Sequence, residues 1–385
     1  MGGPQQQTGG ESPGLDVDTI LSDRSIRILV CCGSGGVGKT TTAAALGLRA
    51  AEVHGRRTVV LTIDPARRLA QALGLSELSN TPRPVKGFDP ESGGELHAMM
   101  LDMKRTFDEV VLAHTDAGRA EEIFANPFYQ AMSSTFSGTQ EYMAMEKLGQ
   151  LRARDDWDLI VVDTPPSRSA LDFLDAPARL SRFLDGRMLR VLLAPARAGG
   201  RSMFNLVTAS FGVFSKAVAK VLGGQLLSDM SGFIAMLDST FGGFRERAER
   251  TYAVLQAPET AFFVVAAPEP DAIREAGYFA GRLARDRMPL AGLVLNRTHT
   301  LHAPALTATQ AREAADGLDA AGEHSATADA LRVHAALREQ VDRETAVTAV
   351  FTREHPAVPV VAVAAQPADV HDIDGLRDIG TAFAV

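Results

Sequence analysis

Gly33, Gly38, Lys39 and Thr40 stand in the order G-x-x-x-x-G-K-T inside the stretch "CCGSGGVGKTTT" (31–42). The chemistry of that order is the holding of a polyphosphate. Glycines let successive backbone N–H groups turn toward one anion, and the lysine and hydroxyl that follow supply a mobile cation and a magnesium ligand. The expected phosphate-binding residues are therefore Gly33, Ser34, Gly35, Gly36, Val37, Gly38, Lys39, Thr40 and Thr41. Lys39 is expected to reach the β and γ phosphates, and Thr40 to hold Mg2+. Asp163, which ends "DLIVVD", is the second expected magnesium residue. Asp64, which ends "TVVLTID", stands where a carboxylate can orient an attacking water. Either aspartate can instead cap the turn that follows it.

A cradle of this kind works only if a rigid strand leads into it and a helix leads out. "IRILVCC" (26–32) is a continuous β-branched apolar run, as in strands covered on both faces. Residues 39–54, rich in Ala and Leu and followed by Gly55, predict a helix. Apolar runs recur at 58–64, 158–163, 260–267, 290–296 and 358–365, separated by helical segments. That alternation predicts an α/β fold with a doubly wound, mostly parallel sheet. Asp64, Asp163 and Asn296 close three of these runs, so all three should converge on the carboxyl edge beside the glycine loop.

Three helical stretches interrupt the alternation, at 102–156, 181–250 and 300–350, and are expected as insertions in a single domain spanning 21–385. Residues 1–20, opening with "MGGPQQQTGGESPG", predict a disordered tail without the basic and apolar parts of a signal peptide. The net charge of −8 disfavours general attraction to nucleic acid, so no nucleic-acid partner is expected. The two cysteines, Cys31 and Cys32, are adjacent and offer neither a disulfide framework nor a CxxC metal pair, which fits a reducing cytoplasm. No apolar run is long enough for a spanning helix, so the chain is not expected to be integral to a membrane.

The segment 181–250 carries two helical seams. Phe204, Val207, Phe211, Phe214, Val218 and Val221 form one, and Leu227, Met230, Ile234, Leu237, Phe241 and Phe244 the other. They can zip together as core or form a groove for a hydrophobic client. Between Gly186 and Ser228 there are basic residues and no Asp or Glu, a composition suited to an anionic membrane surface, to the flank of a membrane-protein client, or to a solvated face. A peripheral position at a membrane is therefore a second expected location beside the cytoplasm.

Taken together, "GSGGVGKTT", the "DPA" after the second strand, "VVDTPPS" and "LVLNR" resemble the ArsA-type ATPases, across about residues 26–383. That family contains arsenite-pump subunits and the chaperones that deliver tail-anchored membrane proteins, and more narrowly the chain resembles its actinobacterial "anion-transporting ATPase" members, a resemblance that its Ala- and Arg-rich composition supports. The resemblance implies a P-loop NTPase of the SIMIBI type with a deviant Walker A motif, ATP as nucleotide and Mg2+ as cofactor. It implies that Lys39 and Thr40 bind phosphate and magnesium, that Asp64 activates water and that Asp163 belongs to the magnesium shell. It implies further that Asn296 reads adenine and that Pro367 lies in a loop near the base. The family works as head-to-head dimers in which a lysine directly after the first glycine reaches the partner's phosphates. Ser34 occupies that place here. Arg67, Arg168 and Ser169 likewise replace residues of the family's two switch segments.

The resulting expectation is a cytoplasmic Mg-ATPase, slow and partner-dependent, dimeric with a paralogous subunit, whose closure handles a hydrophobic or membrane-associated partner through 181–250. A half-catalytic or regulatory subunit of a heterodimer and an arsenite-type anion-pump subunit are the alternatives. A DNA-partitioning ATPase fits the acidic charge and the long insertion less well.

Overall fold

The computed structural model describes residues 13–64, 68–75, 77–88, 90–126, 129–130, 133, 139–165, 244–322 and 324–384. In chain order the helices are α1 (Val17–Ser22), α2 (Lys39–Glu52), α3 (Arg68–Ala72), α4 (Met103–His114), α5 (Ala117–Ala125), α6 (Thr139–Arg154), α7 (Phe244–Gln256), α8 (Pro270–Arg285), α9 (Ala308–Ala321), α10 (Ser325–Glu354) and α11 (Ile373–Thr381). The strands are β1 (Ile28–Cys32), β2 (Arg57–Thr62), β3 (Arg83–Pro84), β4 (Glu95–Met100), β5 (Leu159–Asp163), β6 (Thr260–Ala266), β7 (Leu290–Thr298) and β8 (Val360–Ala364).

The strands form one sheet in the order β3-β4-β2-β5-β1-β6-β7-β8. Every pairing is parallel except that of the two-residue edge strand β3 with β4. β1, β5 and β6 are buried at every position, which is why their sequences run apolar without alternation. From β1 the chain goes out to β2, β3 and β4 on one side, returns to insert β5 between β2 and β1, and then crosses to the other side of β1 for β6, β7 and β8. The segment leaving β1 therefore opens at the switch point of the winding, where such sheets bind ligands. The α/β, mostly parallel fold expected from the alternation is the fold observed.

The described residues fall into two compact units, one drawn from 1–100, 155–171 and 255–385 and the other from 101–154 and 172–254. The first unit holds the whole sheet. It also holds the helical pair α9 and α10, which fills the expected 300–350 insertion and runs past it to Glu354; α9 opens on a capping box between Thr307 and Gln310. In the second unit α4, α5 and α6 occupy the expected 102–156 insertion. Lys147 on α6 meets Glu109 on α4 at 2.8 Å, and Arg247 on α7 meets Glu146 on α6 at 3.1 Å. Most of the 181–250 insertion, with Arg67, Arg168 and Ser169, lies outside the described residues. Among the described residues no helix is long and apolar enough to cross a membrane.

The expected tail ends earlier than residue 20. Residues 13–15 pair with β8, Leu15 N–H donating to the Val360 carbonyl at 3.1 Å, and Val17 and Leu21 are fully buried. Asp16 caps α1 by accepting from the Thr19 N–H at 2.9 Å, and Asp18 pairs with Arg49 of α2 at 2.6 Å. Fully buried Arg56 donates to the carbonyls of Leu21, Asp23, Ile26 and Asp158, fixing the chain just after α1 to the amino end of the sheet.

Candidate functional site

Three properties of the chain build the cradle between β1 and α2. Gly33, Gly36 and Gly38 have φ of +151°, +80° and +94°, and a Cβ on Gly33 would stand 2.1 Å from the Val265 carbonyl oxygen of β6. Only glycine allows this turn and this approach. α2 begins at Lys39 with Gly38 as its cap, no side chain bonds its first N–H groups, and no acidic residue stands in its first turn. Lys39, Thr40 and Thr41 thus open a helix whose free N–H groups and positive dipole end face the loop.

Lys39 is buried and its ammonium donates to the Ser34 carbonyl at 2.8 Å, closing the loop on itself. Burial pulls its pKa down, while the charge of Asp163 pushes it back up. Asp163 ends β5, paired in register with Cys31 of β1 and Thr62 of β2. It is fully buried, and its Oδ2 accepts from Thr40 Oγ1 at 2.8 Å and Thr62 Oγ1 at 2.9 Å. Its Oδ1 is buried with no hydrogen-bond partner. The Thr62 hydroxyl also accepts from the Asp64 N–H at 3.2 Å, so one threonine links both aspartates. Asp64 itself is 7% exposed.

The structure therefore brings the loop, Asp64 and Asp163 to the carboxyl edge of the adjoining strands β1, β2 and β5, and Asn296 reaches the same loop from β7, on the other side of β6. Asn296 lies against the loop: its Nδ2 donates to the Val37 carbonyl at 2.8 Å, and a Cβ on Gly38 would stand 2.2 Å from that nitrogen. Ser34 keeps a buried hydroxyl with no hydrogen-bond partner. Pro367 is exposed in the bend that follows β8, at the far side of the sheet order from β2.

Two participants escape sequence reasoning. Thr62 is an internal residue of an apolar run, two positions before the carboxylate, and only the register with β5 shows that it faces Asp163. Thr164 ties the end of β5 to β1 by donating its hydroxyl to the Cys31 carbonyl at 2.9 Å. Cys31 and Cys32 are buried free thiols, and burial raises Cys32 to about 12, so neither is a nucleophile. Among the described residues no group of three or more His, Cys, Asp or Glu is placed to hold a metal ion.

Burial pushes the Asp163 carboxyl up to about 6, against the two threonine hydrogen bonds and the Lys39 charge, which hold it down. A folded value above the ordinary carboxylate value means that the folded state binds this proton more tightly. That stabilisation is complete below about pH 4 and is lost as the pH rises through about 6. Asp163→Asn cannot ionise but can still accept from both threonines. Without ligand it is expected to melt a few degrees above the wild type at about pH 8 and level with it near pH 4. Equal melting at both pH values would contradict the assigned burial.

A family model described as "Anion-transporting ATPase" matches residues 26–305. An ATPase GET3 of Malassezia globosa is 29% identical over 168 residues, 44% of this chain and 47% of the relative. An ATPase GET3 of Podospora anserina is 29% identical over 170 residues, 44% and 48% of the two chains. An ATPase ARSA2 of Chlamydomonas reinhardtii is 25% identical over 254 residues, 65% and 64%. The chain thus spans about half the length of these GET3 relatives and just under two thirds of ARSA2. The family match takes in the glycine loop, both strand-end aspartates and Asn296, and it extends over well more than half of the sequence: the chain belongs to the ArsA family of anion-transporting ATPases.

Proposed function

We propose that the chain binds Mg-ATP and hydrolyses it to ADP and phosphate. One observation carries this reading: Asp163, at the foot of the glycine loop, has one oxygen held by Thr40 and Thr62 and the other buried without a partner. A buried carboxylate oxygen left in that state is costly unless a cation or its bound water takes it up. Magnesium fits this donor set, a hard carboxylate beside the Thr40 hydroxyl, and Asp163 and Thr40 would hold it, partly through water. When bound, it neutralises charge on the β and γ phosphates.

The rest is the work of the chain's own groups. The loop N–H groups and the amino end of α2 receive the phosphate oxygens. The Lys39 ammonium leaves the Ser34 carbonyl for the β and γ phosphates, where it stabilises the charge that develops on the γ-phosphoryl group. Asp64 orients a water in line with the γ-phosphorus. The new P–O bond forms as the bond to the β-phosphate oxygen breaks, and the proton of the water passes by way of Asp64 to the products.

A second reading, in which this site is half of a pair, is favoured by Ser34. Where the resembled family has a lysine that crosses to the partner's phosphates, this chain has a serine with a spare hydroxyl. A paralogous subunit that supplies the lysine would complete the site, and the seams of 181–250 would offer such a dimer a hydrophobic or membrane-associated client. Steady-state phosphate release by the full chain alone, with magnesium, tests both readings. Slow turnover in the wild type that rises about tenfold or more in Ser34→Lys is the expected result, since a cation supplied in trans is worth far more than this in related chemistry. An unchanged rate in Ser34→Lys contradicts the half-site reading.

A further inference from the structure

Asn296 reaches the phosphate loop from β7, and its hydrogen bond from Nδ2 to the Val37 carbonyl is buried. The same nitrogen lies so close to Gly38 that the carboxamide rests on the Val37–Gly38 peptide. Gly38 and the nearby Gly36 both take positive φ, a region in which glycine turns freely, so the backbone on either side of buried Val37 has other orientations open to it. In a trans peptide the C=O and N–H point in opposite directions. Holding the Val37 carbonyl on Asn296 therefore turns the Gly38 N–H away from Asn296. Asn296 is itself aimed by an irregularity in its strand. The register of β7 with β8 shifts between Asn296 and Thr298, and the intervening Arg297 has φ +63°. Such bulges commonly re-aim a side chain beside a functional site.

We infer that Asn296 is a positioning residue of the phosphate loop: it sets the Val37–Gly38 peptide so that the Gly38 N–H donates to a bound phosphate, whatever contact Asn296 makes with a base. This inference rests on the nucleotide reading above. The probe that separates the two is inorganic tripolyphosphate with magnesium, which has the phosphates of ATP and no base.

Calorimetric titration of the full chain is expected to show tripolyphosphate binding that weakens about tenfold in both Asn296→Ala and Asn296→Leu, the cost of one buried hydrogen bond. Leucine nearly refills the space, so its loss reports the missing donor rather than a cavity. A measurement on the wild type needs no variant to fold: with 15N-glycine labelling, the Gly38 amide proton is expected to move downfield when tripolyphosphate is added. Unchanged tripolyphosphate affinity in both variants, or a Gly38 resonance that stays still while other loop glycines shift, overturns the inference alone. Failure of the wild type to bind either tripolyphosphate or ATP overturns the nucleotide reading and the inference with it.

Discussion

Lys39→Ala is expected to lower phosphate release from Mg-ATP by about 10²- to 10³-fold or more, since losing even one preorganised donor to a developing oxyanion costs about that much. The reason lies in how this lysine is stored. It is 5% exposed, so its ammonium has already lost most of its water, and what replaces that water is the Ser34 carbonyl and the field of Asp163. Moving from a neutral carbonyl to a phosphate requires little further desolvation, and in a buried site the new interaction is strong. Alanine keeps α2 intact, because it is the best helix former, so the variant should remain folded. Melting curves of the ligand-free variant check that point, and phosphate release at saturating ATP reads the loss. A variant turning over at the wild-type rate would remove Lys39 from the mechanism.

Asp64→Asn is expected to separate binding from turnover. The two side chains have the same shape, and the backbone N–H of residue 64 can still donate to Thr62. Phosphate and magnesium contacts, which the reading assigns to the loop, Thr40 and Asp163, are left in place. The Kd for Mg-ATP should therefore stay within about threefold, while kcat falls by about 10²- to 10⁴-fold as a positioned general base is lost. A variant with normal kcat and weakened ATP binding would place Asp64 among the binding groups instead. The trapped complex also offers a way to isolate the partner proposed above, because a dimer that closes on ATP would stay closed.

The parts of this molecule that were legible in the sequence share one property: their physics is local. β1, β5 and β6 are buried on both faces, and their apolar runs say so. The loop is legible because positive φ at Gly33, Gly36 and Gly38 restricts those positions to glycine. β4 was not expected, since "ELHAMM" mixes helix-favouring residues and its strand character comes from pairing with β2. Residues 13–20 looked like tail because a Gly- and Gln-rich stretch precedes them, yet Leu15, Val17 and Leu21 pack away and Asp16 caps a short helix.

The site divides in the same way. Lys39, Thr40, Asp64 and Asp163 could be chosen by type and position at a strand end or loop. Thr62 could not, because its role depends on the β2 to β5 register and on an aspartate 101 residues away. Asn296 is expected near the loop because it closes an apolar run, but its hydrogen bond to the Val37 carbonyl, spanning 259 residues, shows only in the fold. No local pattern encodes a contact of that length.

The most direct test of the central claim is calorimetric titration of the full, purified chain with ATP, in magnesium and again in excess chelator. One ATP is expected to bind per chain in magnesium, with affinity falling steeply when the metal is removed and with Asp163→Ala abolishing the difference. No binding of ATP in either condition, or binding indifferent to magnesium in the wild type, would contradict that claim.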